Sequence, residues 1–199
     1  MKAGALLLWL GALAFPQSAP APLHEWPGEC PDGCRYNTAW TMARATPAFA
    51  EPHPAPEWAP GEPPLFTIAA GESVHAMTGT VYTLASGIAR MRYDFATDAS
   101  YASFSASHRR VITFRAGEEV PLLLRRTGSV WRILRDGRAI DANLYAVMER
   151  DACDRAGPRC AGVVEKQPVT RWWVMVMTAG RQVGWIEQPA GSRTIMQPR

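Results

Sequence analysis

The chain has 199 residues, 47% hydrophobic and 20% charged, with 16 Gly, 17 Pro, 4 Cys and a formal net charge of +3. That balance excludes a disordered, collagen-like or nucleic-acid-coating chain. At this length about two-thirds of the unfolded surface can be buried, enough for one medium domain or two small ones.

The first residues read as a secretory signal peptide, residues 1–21. Lys2 supplies the charged start, Ala3 to Phe15 form the apolar run, and Pro16 to Leu23 are small residues broken by prolines. A cut after Ala19 or after Ala21 satisfies the small-residue rule, and each leaves Pro at the next position. An uncleaved anchor is the alternative, but 13 apolar residues fall short of the roughly 20 that span a bilayer. No cysteine lies in the first 29 residues, so no lipobox forms. The expected location is therefore secreted or periplasmic, with no stable membrane insertion after cleavage.

An exported chain meets an oxidising compartment, where four cysteines in two local pairs read as disulfides. Cys30 and Cys34 enclose Pro-Asp-Gly, a turn-forming triplet. Cys153 and Cys160 enclose a six-residue stretch with Gly and Pro at its bend. A zinc site is the rival, but neither spacing is a zinc knuckle and no His sits within either pair. No metal and no cofactor are expected.

Behind the leader the charge divides unevenly. Residues 22–87 hold two Arg against seven acids, residues 88–138 ten Arg against five acids, and residues 139–199 eight bases against six acids. An acidic front and a basic middle either pack against each other or meet a charged ligand.

Residues 47–64 carry seven prolines in 18 positions, which excludes a helix interior or a central strand. They read as a long surface loop between a strand near Trp40 and the next near Phe66, with His53 solvated. A repeat follows. Ala70-Gly-Glu-Ser-Val74 leads to Gly79-Thr-Val-Tyr82, and Ala116-Gly-Glu-Glu-Val120 leads to Gly128-Ser-Val-Trp131. A Gly-Glu turn entering a strand, then a second Gly turn into a strand carrying an aromatic, predicts hairpins in each copy. Asp136-Gly137 is the strongest hairpin signal. Residues 142–150 are ambiguous between a strand end and a helix capped at Asp141. Trp172 to Met177 and Val183 to Ile186 form a last hairpin around Ala179-Gly180.

The order of these pieces resembles uncharacterised exported bacterial proteins with Src-homology-3-like domains. The resemblance is carried by Cys30 and Cys34 shortly before Trp40-Thr41, by the Gly-Glu and Gly-x-Val-Trp segments, and by Trp172 to Val176 followed by Gly180 to Pro189. It spans about residues 28–190. It implies an all-β fold of two small β-barrel units of short antiparallel strands, residues 28–95 and 108–190, either separate or packed as one compact body, before a tail at 191–199. It also implies a binding module for cell-wall peptide or glycan, and brings no catalytic residues. The alternative is a structural or assembly protein of the envelope that meets a protein partner.

An enzyme is not expected, a hydrolase being the minor alternative. The four histidines share no metal spacing with an acid, and no nucleophile elbow, zinc helix or phosphate loop is present. Nucleic acid is not an expected partner. Candidate ligand-binding residues are the aromatics Tyr82, Trp131, Trp172, Trp173 and Trp185, whose other reading is as core. Trp172 and Trp173 must point to opposite faces of one strand.

Overall fold

The computed structural model describes residues 23–31, 34–54, 63–101, 110–188 and 196–198. Residues 1–22, which include the expected signal peptide, residues 55–62 of the proline-rich loop and most of the tail lie outside the described residues. In chain order the elements are β1 (His24–Pro27), β2 (Thr38–Met42), β3 (Thr46–Ala48), β4 (Phe66–Ile68), β5 (Ser73–Ala85), β6 (Gly87–Met91), β7 (Phe95–Tyr101), β8 (Arg110–Phe114), β9 (Glu119–Thr127), β10 (Val130–Arg135), β11 (Arg138–Asn143), β12 (Val147–Glu149), α1 (Arg150–Ala156), β13 (Gly162–Lys166), β14 (Val169–Thr178), β15 (Val183–Gln188) and β16 (Met196–Pro198). Among the described residues the fold is mostly β, with one short helix followed by a 3-10 turn at Gly157–Arg159.

Two sheets carry the chain. One runs β15-β14-β5-β2-β16, with β1 paired to the far half of β5; the other runs β12-β13-β6-β9-β10-β11-β7-β8. Neither closes on itself, which corrects the expectation of closed barrels. Among the described residues, backbone pairing beyond β15 in the first sheet is made at Phe49, which exchanges two hydrogen bonds of 2.8 Å with Trp185. Pro52 and Pro54 follow, and without N–H groups they donate no further rungs of a ladder.

The two sheets repeat one unit. In the first, β2 precedes the meander β5-β14-β15, with the hairpin β3–β4 between them in chain order as a separate two-stranded sheet; in the second, β6 precedes β7–β8, which is part of the sheet, and the meander β9-β10-β11. The registers agree. Trp40 faces Val74 and Thr38 faces Ala76, while Ala89 faces Val120 and Gly87 faces Leu122. Each meander also skips one residue at the same place, Met77 between the Ala76–Val176 and Thr78–Met175 pairs and Leu123 between Leu122–Ile133 and Leu124–Arg132. The Ala-Gly-Glu turns match in their bonds as well. The N–H of Gly71 donates to Met42 O at 2.7 Å and that of Gly117 to Met91 O at 2.9 Å, each methionine N–H returning a bond to the following glutamate carbonyl.

The second copy is nested inside the first. Where Gly128-Ser129 turns β9 into β10, the first copy opens between β5 and β14 and admits residues 86–168. The sheets therefore do not follow a division at 28–95 and 108–190, because β14 pairs with β5 and β15 with β14, and neither pairs with β9 to β11. The chain crosses from sheet to sheet twice at one spot, at Ser86 and at Gln167-Pro168. A Cβ on Gly87 would collide with Lys166 O, so only glycine lets the two crossings touch.

Nesting also corrects the repeat as read along the sequence. Gly128 is a turn residue with φ of +50°, whereas Gly79 sits inside the continuous strand β5. A side chain at Gly79 would occupy the place of the Tyr36 hydroxyl. The Asp136-Gly137 hairpin forms as expected, with φ of +51° and +70° at its two turn residues, the backbone that an Asp-Gly pair tolerates.

Each unit holds its own apolar core. Trp40, Met42, Ile68, Val74, Val174, Val176 and Ile186 fill the first, and Met91, Phe114, Leu122, Trp131, Ile133, Ile140 and Leu144 lead the second. Alternation on β14 explains the first: Trp172, Val174 and Val176 face the core, and Trp173, Met175 and Met177 face outward. The ambiguous stretch at 142–150 ends in the strand β12, and the helix begins only at Arg150. β12 and β13 are parallel, so they need a crossover, which α1 and the 3-10 turn supply. Cys153 and Cys160 staple that crossover with Cα atoms 5.1 Å apart, and Cys30 and Cys34 form the second disulfide, 5.2 Å apart. Part of the proline-rich segment is ordered strand, since Thr46, Pro47 and Ala48 pair with Ile68, Thr67 and Phe66.

Candidate functional site

The outward face of the first meander carries an aromatic cluster. Tyr82 from β5, Trp173 from β14 and Trp185 from β15 meet Phe49, which arrives from the end of β3. The Phe49 and His53 rings stand edge-on to the Trp173 indole, with centroids 5.9 Å and 5.8 Å away. The indole N–H of Trp173 donates to His53 O at 2.9 Å, pinning residues 49–53 over the strand. Trp173 is thereby buried under a loop, and His53 is half-buried, not solvated as expected.

A cleft of about 390 Å³ opens beside this cluster. Pro47, Phe49, His53 and Trp173 give it apolar walls, and Arg44, Arg171 and Glu187 give it charge. Arg44 is exposed at the rim, and an Arg171 guanidinium nitrogen lies 3.5 Å from a Glu187 carboxylate oxygen. Two guanidinium groups beside an aromatic wall can hold a carboxylate through paired N–H donors while apolar groups pack on the rings. Among the described residues no group of three His, Cys, Asp or Glu side chains converges for a metal ion.

Of the five aromatic candidates, Tyr82, Trp173 and Trp185 come together here. Trp172 faces the opposite way, edge-on to Trp40 at 6.1 Å, its N–H donating to the Tyr36 hydroxyl at 3.0 Å. Trp131 lies in the second core, with the Arg125 guanidinium 5.6 Å from its ring centroid. Burial, reinforced by the negative charge of Glu25, pushes the Tyr82 phenol up to about 12. Reading the sequence alone misses Arg44, Phe49, His53 and Arg171. The loop that brings Phe49 and His53 over β14 is unpredictable locally, and two arginines among 19 in the chain carry no signal.

A second polar cluster joins the units. Arg132 on β10 is buried between Asp141 at 2.9 Å and Glu29 at 2.8 Å, and Arg126 on β9 reaches the same two carboxylates at 2.7 and 2.9 Å. The Trp26 ring of β1 covers Arg132, 4.7 Å from its guanidinium carbon. The Trp26 indole donates to Thr83 Oγ1, whose hydroxyl donates on to Leu123 O in the second unit. Part of the acidic front and basic middle of the sequence meet at this clasp.

No protein-family model, curated protein or solved structure matches the chain.

Proposed function

We propose that the protein is an exported, non-catalytic binding module of the bacterial cell envelope, built of two Src-homology-3-like units, one nested in the other. It recognises cell-wall peptide or glycan, or another extended peptide. The observation that carries this reading is the aromatic cleft of Phe49, His53 and Trp173 with Arg44 and Arg171 at its sides, concave, mostly apolar and of ligand size. The twice-repeated strand, hairpin and three-strand meander supports the Src-homology-3-like reading. The leader composition of residues 1–21 and the two disulfides support export.

The direct experiment is sedimentation of the purified, oxidised mature protein with insoluble peptidoglycan over a range of salt, beside an unrelated basic protein. Retention at high salt, lost on Trp173→Ala with the fold intact, is the expected result. Retention matched by the control and abolished by salt would be charge adhesion alone. It would move the assignment to an envelope protein that binds a protein partner.

A further inference from the structure

Beyond the aromatic cluster, the outward face of the first unit carries soft metal donors. Met175 and Met177 alternate onto that face of β14, and His75 of β5 shares it because its neighbours Val74 and Ala76 enter the core. His75 stands directly opposite Met177. Met77, the extra residue of the β5 bulge, sits beside Thr78, which faces Met175. We propose that these three thioethers and one imidazole bind a soft monovalent cation, copper(I) or its close chemical relative silver(I). The proposal goes beyond peptide or glycan recognition and does not use the cleft.

Spacing and access permit it. Opposite residues in an antiparallel pair have Cβ atoms about 5 Å apart, and alternate residues of one strand are about 7 Å apart. Methionine has three rotatable bonds, so its sulfur closes gaps of that size with the backbone fixed. All four side chains are half-buried, leaving each partly open to solvent. The His75 imidazole makes no hydrogen bond or ion pair with any described residue, so ligation costs it no existing partner.

Donor chemistry selects the ion. Thioether sulfur is polarisable and takes copper(I), whereas magnesium, calcium and manganese prefer oxygen ligands. Three thioethers and a neutral imidazole bring no negative charge, so the set does not offset the second charge of a divalent ion.

The second unit supplies a comparison on the same backbone. Counted from the matching bulges, Pro121, Leu123, Arg132 and Leu134 take the places of His75, Met77, Met175 and Met177. Leu123 is buried, and Arg132 lies beneath the Trp26 ring. The repeated architecture therefore does not require methionine or histidine at these places, and the first unit alone gathers them.

The test titrates the full mature, oxidised protein with silver nitrate in chloride-free buffer. Silver(I) needs no reductant, and with every cysteine in a disulfide no thiol competes for it. Calorimetry reads the stoichiometry, and methionine methyl resonances read the place. We expect one silver ion per chain, with the methyls of Met77, Met175 and Met177 shifting and those of Met42, Met91 and Met148 unmoved. Met175→Leu, Met177→Leu and His75→Gln should each weaken binding at least about tenfold, as even loss of a ligand's supporting hydrogen bond does. Leucine conserves the methionine volume, so the fold is kept. Met148→Leu is the neutral control, and excess zinc(II) should not displace the silver. Binding that survives all three substitutions, or that zinc abolishes, would overturn the site. Absence of silver binding by the folded protein would overturn the proposal outright and leave the methionines as plain apolar surface, whatever the peptidoglycan experiment gives.

Discussion

Tyr36 shows how single residues tie the first unit together. Its hydroxyl donates to Glu29 O at 2.5 Å and accepts the Trp172 indole N–H, in space left by the missing side chain of Gly79. Burial pushes this phenol up to about 12, as it does that of Tyr82. An unfolded chain ionises its tyrosines near 10. Between about pH 10 and 12 the unfolded state therefore binds fewer protons than the folded one, and stability falls as pH rises through that window while staying flat below it. Tyrosinate absorbance, with Tyr36→Phe and Tyr82→Phe to assign the signals, should accordingly show Tyr36 and Tyr82 titrating late. Denaturation midpoints should drop above pH 10, less so in Tyr36→Phe. Ionisation of Tyr36 and Tyr82 near 10 would show that neither phenol is held as described.

At the scale of elements, the Ala-Gly-Glu turns are the part of the fold most legible in the sequence. The motif states its own geometry: Gly71 and Gly117 both adopt φ of +81°, and the next glutamate, Glu72 or Glu118, accepts the N–H three residues back. A Cβ at either glycine would meet nothing within 4 Å, so Gly71→Ala and Gly117→Ala should each cost only the left-handed backbone penalty, about 1 to 2 kcal/mol. Urea denaturation should give similar losses for the two, because the turns are copies; a large loss at one alone would break the equivalence. The pairing of Gly79 with Gly128 fails for a physical reason. Adjacent strands in space need not be adjacent in sequence, and the true counterpart of β10 is β14, beyond the whole inserted unit. The aromatic face was half legible. Alternation alone places Trp172 and Trp173 on opposite sides of β14, but only the folded path of residues 49–53 decides that Trp173 is the one beneath a loop.

The whole molecule is held by more than two strand crossings. Glu29, Arg126, Arg132 and Asp141 balance two charges of each sign, and removing one partner from such a group strands another charge away from water. Glu29 belongs to the segment between β1 and the Cys30–Cys34 staple, so its carboxylate carries the first unit onto the outer face of the second. The nested connectivity demands this coupling, because unfolding the second unit frees the ends of β5 and β14 that frame the first. The intact chain should melt in one calorimetric transition, with van't Hoff and calorimetric enthalpies equal. Glu29→Gln should remove about 2 kcal/mol, as for hydrogen bonds to charged groups, and lower the melting temperature by about 4 to 8 °C. It should also broaden the transition, so that the van't Hoff enthalpy falls below the calorimetric one. An unchanged single peak in that variant would mean that the crossings at Gly87 and Pro168 couple the units unaided, and that the clasp serves only to seat β1.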